Sequence, residues 1–382
     1  MSYPTYEILI ISPATGDILK VLSPSNAVEI KYSRVINDVG TFTIVFRGRA
    51  LVDEVVPLFG TDTIVEIYRD SQTQSYTDLT KEGTYFTRLR KQYIDDEGID
   101  SFIVGGFCTN HLLQRRTIDP SDDSVQPNGG YATKAGAADT VLRDYIREQA
   151  ADLASTERQT LGLTVPAVAG TFPTVGKRIR FKNLLAICQE ISAAVNVDFY
   201  IERTTGLNFE CYIGTQGTDR TYKTNKGLNP FTIFNPLRGN LRRPAYEIDE
   251  KKEVNFLYVQ GPGEGARRFV LEVPGSDRMA ASLFNRCERA IDARNTKVGG
   301  SAAMLSEGQE KLVTDGVQID FNINLIPQIG GTKYREDIFL GDKVTVVWRD
   351  IIANIRITKI EFTLTQNSEE ILIEVSKDEY TS

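Results

Sequence analysis

Apolar and polar residues alternate in short runs along the first hundred positions. In "GTFTIVF" Phe42, Ile44 and Phe46 share one face, and in "TIVEIYR" Val65 and Ile67 oppose Ile64, Glu66 and Tyr68. A period of two marks strands with one buried face. The runs "YEILIIS", "ILKVL", "AVEIKYSRV", "GTYFTRLRKQYI" and "DSFIVGGFC" are strand-like too, with turn chemistry between them, such as "PATGD" and the "DDEG" at 95–98 that closes a hairpin. They predict an antiparallel sheet closing toward a barrel, interrupted by one short helix in "ALVDEVVPLF" with Leu51, Val55 and Leu58 on one side.

The period then changes. A stretch rich in Pro, Gly, Asp, Ser and Asn, "IDPSDDSVQPNGGY", has the composition of an exposed loop or boundary. After it, Val141, Leu142, Tyr145, Ile146, Ala150 and Leu153 fall at helical spacing, and so do Leu184, Ile187, Cys188, Ile191 and Val195. The second helix runs into "VDFYIER", the turn "TTG" and "LNFECYIG", so a helix packs on a hairpin.

Strand character returns with "EVNFLYVQG" and "RRFVLEV" around the turn "GPGEGA". Two helices are expected next: "DRMAASLFNRCERAIDARN", N-capped by Ser276 with a stripe of Met279, Leu283, Phe284, Cys287 and Ile291, and "AAMLSEGQEKLV", presenting Leu305, Gln309, Leu312 and Val313 before Gly316. "VQIDFNINL", "FLGDKVTVVW", "NIRITKIEFTLT" and "EEILIEVS" close the chain as a further antiparallel group. The fold class is α+β, mainly β. Three domains are expected: a first β-rich one at 1–118, a small α+β one at 119–222, and a second β-rich one at 223–382 with its two inserted helices at 276–315.

Composition narrows the function. The 382 residues are 41% hydrophobic and 25% charged, ordinary for a globular protein, and the net charge of −7 disfavours dedicated nucleic-acid binding. No apolar run is long enough to span a membrane, and the opening "MSYPTYEILIIS" lacks the basic start of a signal peptide, so folding in a cytoplasm is expected. Cys108, Cys188, Cys211 and Cys287 are too scattered for a metal or redox motif and are expected as buried reduced thiols. His111 is the only histidine, so any triad, dyad or histidine metal centre must be built on it. No catalytic, cofactor or metal site is expected.

Short motifs yield to bland readings. "GPGEGARR" lacks the Gly-Lys-Ser/Thr and the helix that a phosphate loop needs, and "DPSDDS" at 119–124 lacks the spacing and central glycine of a calcium loop. Asp95, Asp96 and Glu97 are turn carboxylates with no reason for a raised pKa, and His111 reads as structural or surface. Arg115, Arg116, Arg238, Arg242 and Arg243 fit a subunit or ring interface better than a nucleic-acid site, since no aromatics interleave with them. In "FLGDKVTVVW", Gly341 and Asp342 supply a turn and Trp348 ends a core strand.

Four pieces, in order, carry a resemblance: Gly40 to Phe46, "GFCTNHLLQRRTI", Cys287 to Asn295, and Tyr334 to Val347. Together with the succession of helix, strand, Leu-Gly-Asp strand and closing strand pair, they resemble the baseplate-hub or tail-associated (tail tip hub) proteins of long-tailed bacteriophages. The resemblance implies that both β-rich domains are tail-tube-like β-barrels. Three subunits then set six such domains around a channel and adapt a sixfold tail to a threefold tip. It also implies a homotrimer in the virion, at the tail tip or baseplate, assembled in the host cytoplasm. The implied partners are distal tail or tail-tube ring proteins, the tape measure protein and tail fibre or tip proteins, with DNA only in transit. Because the chain stops soon after its last strand, the extra enzymatic or receptor-binding region of longer members is not expected. Two other classes stay open: a receptor- or carbohydrate-binding tip component using exposed tyrosines as platforms, and a tail-associated hydrolase, which needs a nucleophile-base or split carboxylate pair.

Overall fold

The computed structural model describes residues 4–70, 79–122, 130–167, 170–212, 214–222, 225, 227–294, 300–325 and 331–380. The N-terminal strands are β1 (Tyr6–Ile11), β2 (Ile18–Leu22), β3 (Glu29–Val35), β4 (Thr41–Arg47), β5 (Ile64–Asp70), β6 (Leu79–Ile94) and β7 (Asp100–Cys108), with helices α1 (Arg49–Val55) and α2 (His111–Gln114). The middle holds β8 (Ala132–Ala137), α3 (Ala138–Ala150), β9 (Leu163–Thr164), β10 (Thr174–Ile179), α4 (Leu184–Val195), β11 (Phe199–Arg203) and β12 (Leu207–Cys211). The last part runs β13 (Ile233–Phe234), β14 (Leu241–Asp249), β15 (Phe256–Gln260), β16 (Val270–Pro274), α5 (Ser276–Ala280), β17 (Glu288–Asp292), α6 (Gly300–Thr314), β18 (Gln318–Leu325), β19 (Lys343–Trp348), β20 (Ile351–Thr365) and β21 (Ser368–Tyr380).

Strands from both ends of the chain share one sheet. Among the described residues its order is β14-β18-β21-β20-β3-β4-β7-β6-β5-β1-β2, with β19 beside β20 and β13 beside β19. The joint is β20, whose Ile351–Arg356 half pairs with β19 while Lys359–Leu364 pairs with β3. The mainly β class is thus as the alternation predicts, but the sheet has two open ends, β14 and β2, and the two β-rich parts do not appear as separate closed barrels.

One core serves both ends. The Tyr32 and Phe362 rings stack 4.4 Å apart across the β3–β20 pair, within a cluster that also buries Phe42, Phe46, Phe102, Phe234, Val344 and Val346. Each such side chain contributes roughly 1.5–3 kcal/mol by leaving water. A second core lies around α3 and α4, which bury Val141, Leu142, Tyr145, Ile146, Leu184, Ile187 and Ile191 as their spacing predicts. Leu153 lies beyond the end of α3 and is half exposed. Strand β5 is covered on both faces, Val65 and Ile67 facing the first core and Ile64 the second.

Two expected helices differ. The run expected as one helix after Ser276 is helical only over Ser276–Ala280; Glu288–Asp292 is a strand in parallel register with Phe256–Gln260. Leu283 and Phe284, counted in the expected apolar stripe, are 98% and 93% exposed, so there was no core for that stripe to face. Helix α6 forms where expected but buries Met304 and turns Val313 outward. Gly308 sets that face: a Cβ there lies only 2.8 Å from Val273 and 2.9 Å from Val259, so its absence lets the helix sit close on β15 and β16.

Candidate functional site

Polar side chains gather in buried joints where the three parts of the chain meet. In the first, Glu82 of β6 is fully buried between Arg34 of β3 and the segment before β19. Arg335 Nε donates to Glu82 Oε1 at 3.0 Å, Tyr334 Oη donates to Oε2 at 2.8 Å, and Arg34 Nη1 reaches Oε2 at 3.2 Å and Tyr334 Oη at 2.6 Å. Burial alone raises the Glu82 carboxyl pKa, but the charges of Arg34 and Arg335 and the two hydrogen bonds outweigh it and hold the group below its ordinary range. Burial pushes the Tyr334 hydroxyl up to about 12, so it stays protonated and donating. Alongside, Arg69 of β5 forks onto Glu369 of β21 at 2.8 and 3.1 Å, which ties the two ends of the chain again.

The second joint centres on Asp198, just before β11. Its buried carboxylate pairs with the Arg356 guanidinium of β20 and accepts from Asn37 Nδ2 at 2.8 Å and from the Gln216 amide. Asn37 also accepts from the Phe199 amide at 2.8 Å, and Arg356 Nη2 donates to the Gln216 carbonyl at 3.2 Å. A cleft of about 300 Å³ opens beside them, lined by Asn37, Asp38, Gln189, Asn196, Asp198 and Arg356. Its charged pair is internally satisfied, which suits a structural tie and leaves that pair no free acid, base or nucleophile.

The third joint gives Leu-Gly-Asp its purpose. Asp342 Oδ1 accepts from the Thr218 amide at 2.7 Å, while Oδ2 accepts from Arg220 Nε at 2.8 Å and the Phe339 amide at 2.9 Å. Gly341 has φ +95°. A Cβ on it lies 2.6 Å from the Gln216 oxygen and 3.0 Å from the Gly217 nitrogen. Only glycine fits both the conformation and the crossing chain. Gly341→Ala is therefore expected to destabilise by about 3 kcal/mol or more, from backbone strain plus overpacking. A chemical-denaturation midpoint equal to that of the wild type contradicts this account of the crossing.

Trp348 is half-buried against the first core, with Arg349 4.8 Å over its ring. Arg115 is drawn onto Asp62 at 3.1 Å, which it shares with Arg88, and Arg116 reaches Thr160 at 3.4 Å. Arg238 ends a turn of 3-10 helix, and Arg242 and Arg243 are exposed at the irregular register of β14. Arg115 and Arg116 lie at the end of α2, whereas Arg238, Arg242 and Arg243 lie just before and within β14. His111 Nδ1 lies 2.8 Å from Gln114 against the Phe107 ring; burial first, then Arg115 and Arg88, lower its pKa. Asp95 pairs with Arg47 at 2.7 Å, and Asp119 accepts from Ser121, while Asp123 and Ser124 of the acidic loop lie outside the described residues. All four cysteines are free; Cys188 and Cys211 are buried, and Cys108 and Cys287 only in part. Among the described residues no helix is long and apolar enough to cross a membrane.

The joint residues other than Gly341 and Asp342 were not singled out from the sequence. Glu82 sits in a strand where a polar residue normally marks the wet face, and its basic partners Arg34 and Arg335 lie 48 and 253 residues away along the chain. Its neighbours Thr80, Lys81 and Thr84 are polar as well, so nothing local sets it apart.

A model of the family described as Siphovirus ReqiPepy6 Gp37-like protein matches residues 73–375. Among solved structures, the 43 kDa tail protein of prophage MuSo2 from Shewanella oneidensis is similar, with TM-score 0.58 and 12% identity over 98% of each chain. A tail protein from Neisseria meningitidis MC58 gives 0.58 and 11% identity, over 99% of this chain and 97% of that one. Prophage tail protein gp18 from Listeria monocytogenes EGD-e gives 0.53 and 9%, over 98% and 95%. At such identities these likenesses speak for the fold. No curated protein sequence matches the chain.

Proposed function

The chain belongs to the Siphovirus ReqiPepy6 Gp37-like protein family and has the fold of phage tail proteins, and from that premise we propose that it is the hub at the distal end of a tail. In this reading three copies surround a channel for DNA and adapt a sixfold tube to a threefold tip. Parts 1–118 and 223–382 form the ring, and 119–222 decorates it. Its neighbours are the tail-tube ring, the tape measure protein and the fibre or tip proteins, and its place is the virion.

The observation that carries the proposal is the sharing of one sheet and one core by the two β-rich parts, locked by Arg69–Glu369 and by the Glu82 cluster. Such a body transmits load without hinging between its ends, as an adaptor must. A non-enzymatic role is part of the proposal, supported by the way the buried carboxylates of the joints are tied to arginines and backbone amides. An acidic or neutral channel wall is expected too, because a basic one holds phosphates by counterion release. Arg242 and Arg243 then lie at subunit or ring contacts. Light-scattering mass of the purified chain, with negative-stain images, tests the assembly: a trimeric mass and an annular projection are expected, and a monomer at every concentration contradicts it.

A further inference from the structure

The middle part of the chain carries two unpartnered sheet faces of opposite charge. Ile179 at the end of β10 points into the second core, while Arg178 before it and Arg180 just past the strand point away. Arg178 lies 4.0 Å over the Tyr131 ring, and Arg180 lies 5.4 Å from the Phe181 ring, which is 60% exposed. Neither arginine has a carboxylate partner among the described residues, whereas nearby Lys177 and Lys182 are both paired with Glu190. Stacking on the rings holds the guanidinium groups extended with their N–H edges free.

On the β11–β12 hairpin, Phe199, Ile201 and Phe209 fill the same core, which leaves Tyr200, Glu202 and Glu210 on the other face. Tyr200 and Tyr212 stack at 5.5 Å and 15°. Glu202 is exposed and accepts only from Tyr200 at 3.3 Å, and Glu210 has no ion pair among the described residues. This face is an aromatic platform edged with carboxylates. The β8–β10 face is its counterpart in charge and in ring content.

We propose that the Arg178/Arg180 face of one copy docks on the Glu202/Glu210 face of the next, so that copies join head to tail. The occupant is a second copy because each face supplies the charge the other lacks: forked cations on one side for carboxylates on the other. A contact between unlike faces propagates around an axis and closes into a ring when its rotation allows. The inference rests on the trimer proposed above and adds to its ring a contact between the middle parts of neighbouring copies.

Sedimentation equilibrium of the full-length chain tests it with four proteins: wild type, R178E/R180E, E202K/E210K, and the variant combining all four changes. The wild type is expected to be a trimer, each double reversal to weaken association about tenfold or more, and the combination, which swaps the sign of both faces, to regain the trimer. Circular dichroism establishes that the variants fold. A wild-type trimer that both double variants retain overturns this contact and leaves the hub reading standing. Dissociation that the combination does not rescue also overturns it. A wild type that is monomeric throughout overturns both readings.

Discussion

The Glu82→Ala variant is expected to lose about 3–5 kcal/mol of folding stability near neutral pH, because it leaves Arg34 and Arg335 facing each other without their shared carboxylate. The loss is large because Glu82 has no exposed side-chain surface and three donors converge on it. Urea unfolding reads it as a lower midpoint. The pH dependence has a definite sign. The folded carboxyl sits below its ordinary value, so its stabilisation is complete above the unfolded pKa of about 4.3 and fades as pH falls through the folded value. The gap between wild type and variant is therefore expected to narrow in acid. A gap that stays constant down to acid pH contradicts the ionised state assigned to Glu82.

Arg356→Ala is the second large effect, again about 3–5 kcal/mol, because Asp198 stays buried with only neutral donors. Lysine is expected to rescue it in part, since an ammonium cannot both fork onto the carboxylate and reach the Gln216 carbonyl. Hydrogen exchange locates the damage: the Gln216 and Phe199 amides, bonded to Asp198 and Asn37, should exchange faster in the variant, while the β3–β4 pair stays protected. Uniform acceleration over the whole chain, or none, contradicts a local joint at Asp198.

Much of this architecture is written locally. The alternation of Phe42, Ile44 and Phe46 places β4, and the helical spacing of Val141, Leu142, Tyr145 and Ile146 places α3, because burial of one face imposes those periods whatever the partner. The partner leaves no local mark. Nothing in "KIEFTLT" announces that Phe362 pairs with Tyr32, more than three hundred residues earlier, and so the single shared sheet was not legible. The same limit explains the stretch after Ser276, where a helical stripe was read but the free edge of β15 recruited Glu288–Asp292 as a parallel strand. Leu-Gly-Asp was legible as a turn. That Asp342 clamps Thr218 and Arg220 was not, since the clamp depends on chain that crosses only in three dimensions.

Cryo-electron microscopy of intact tails carrying this chain, with its density identified by the fold described above, tests the central claim most directly. The account predicts three copies around the tail axis at the distal end of the tube, enclosing an open channel whose wall is not dominated by arginine and lysine. A single copy held off the axis as an appendage, or a sixfold ring within the tube itself, contradicts it.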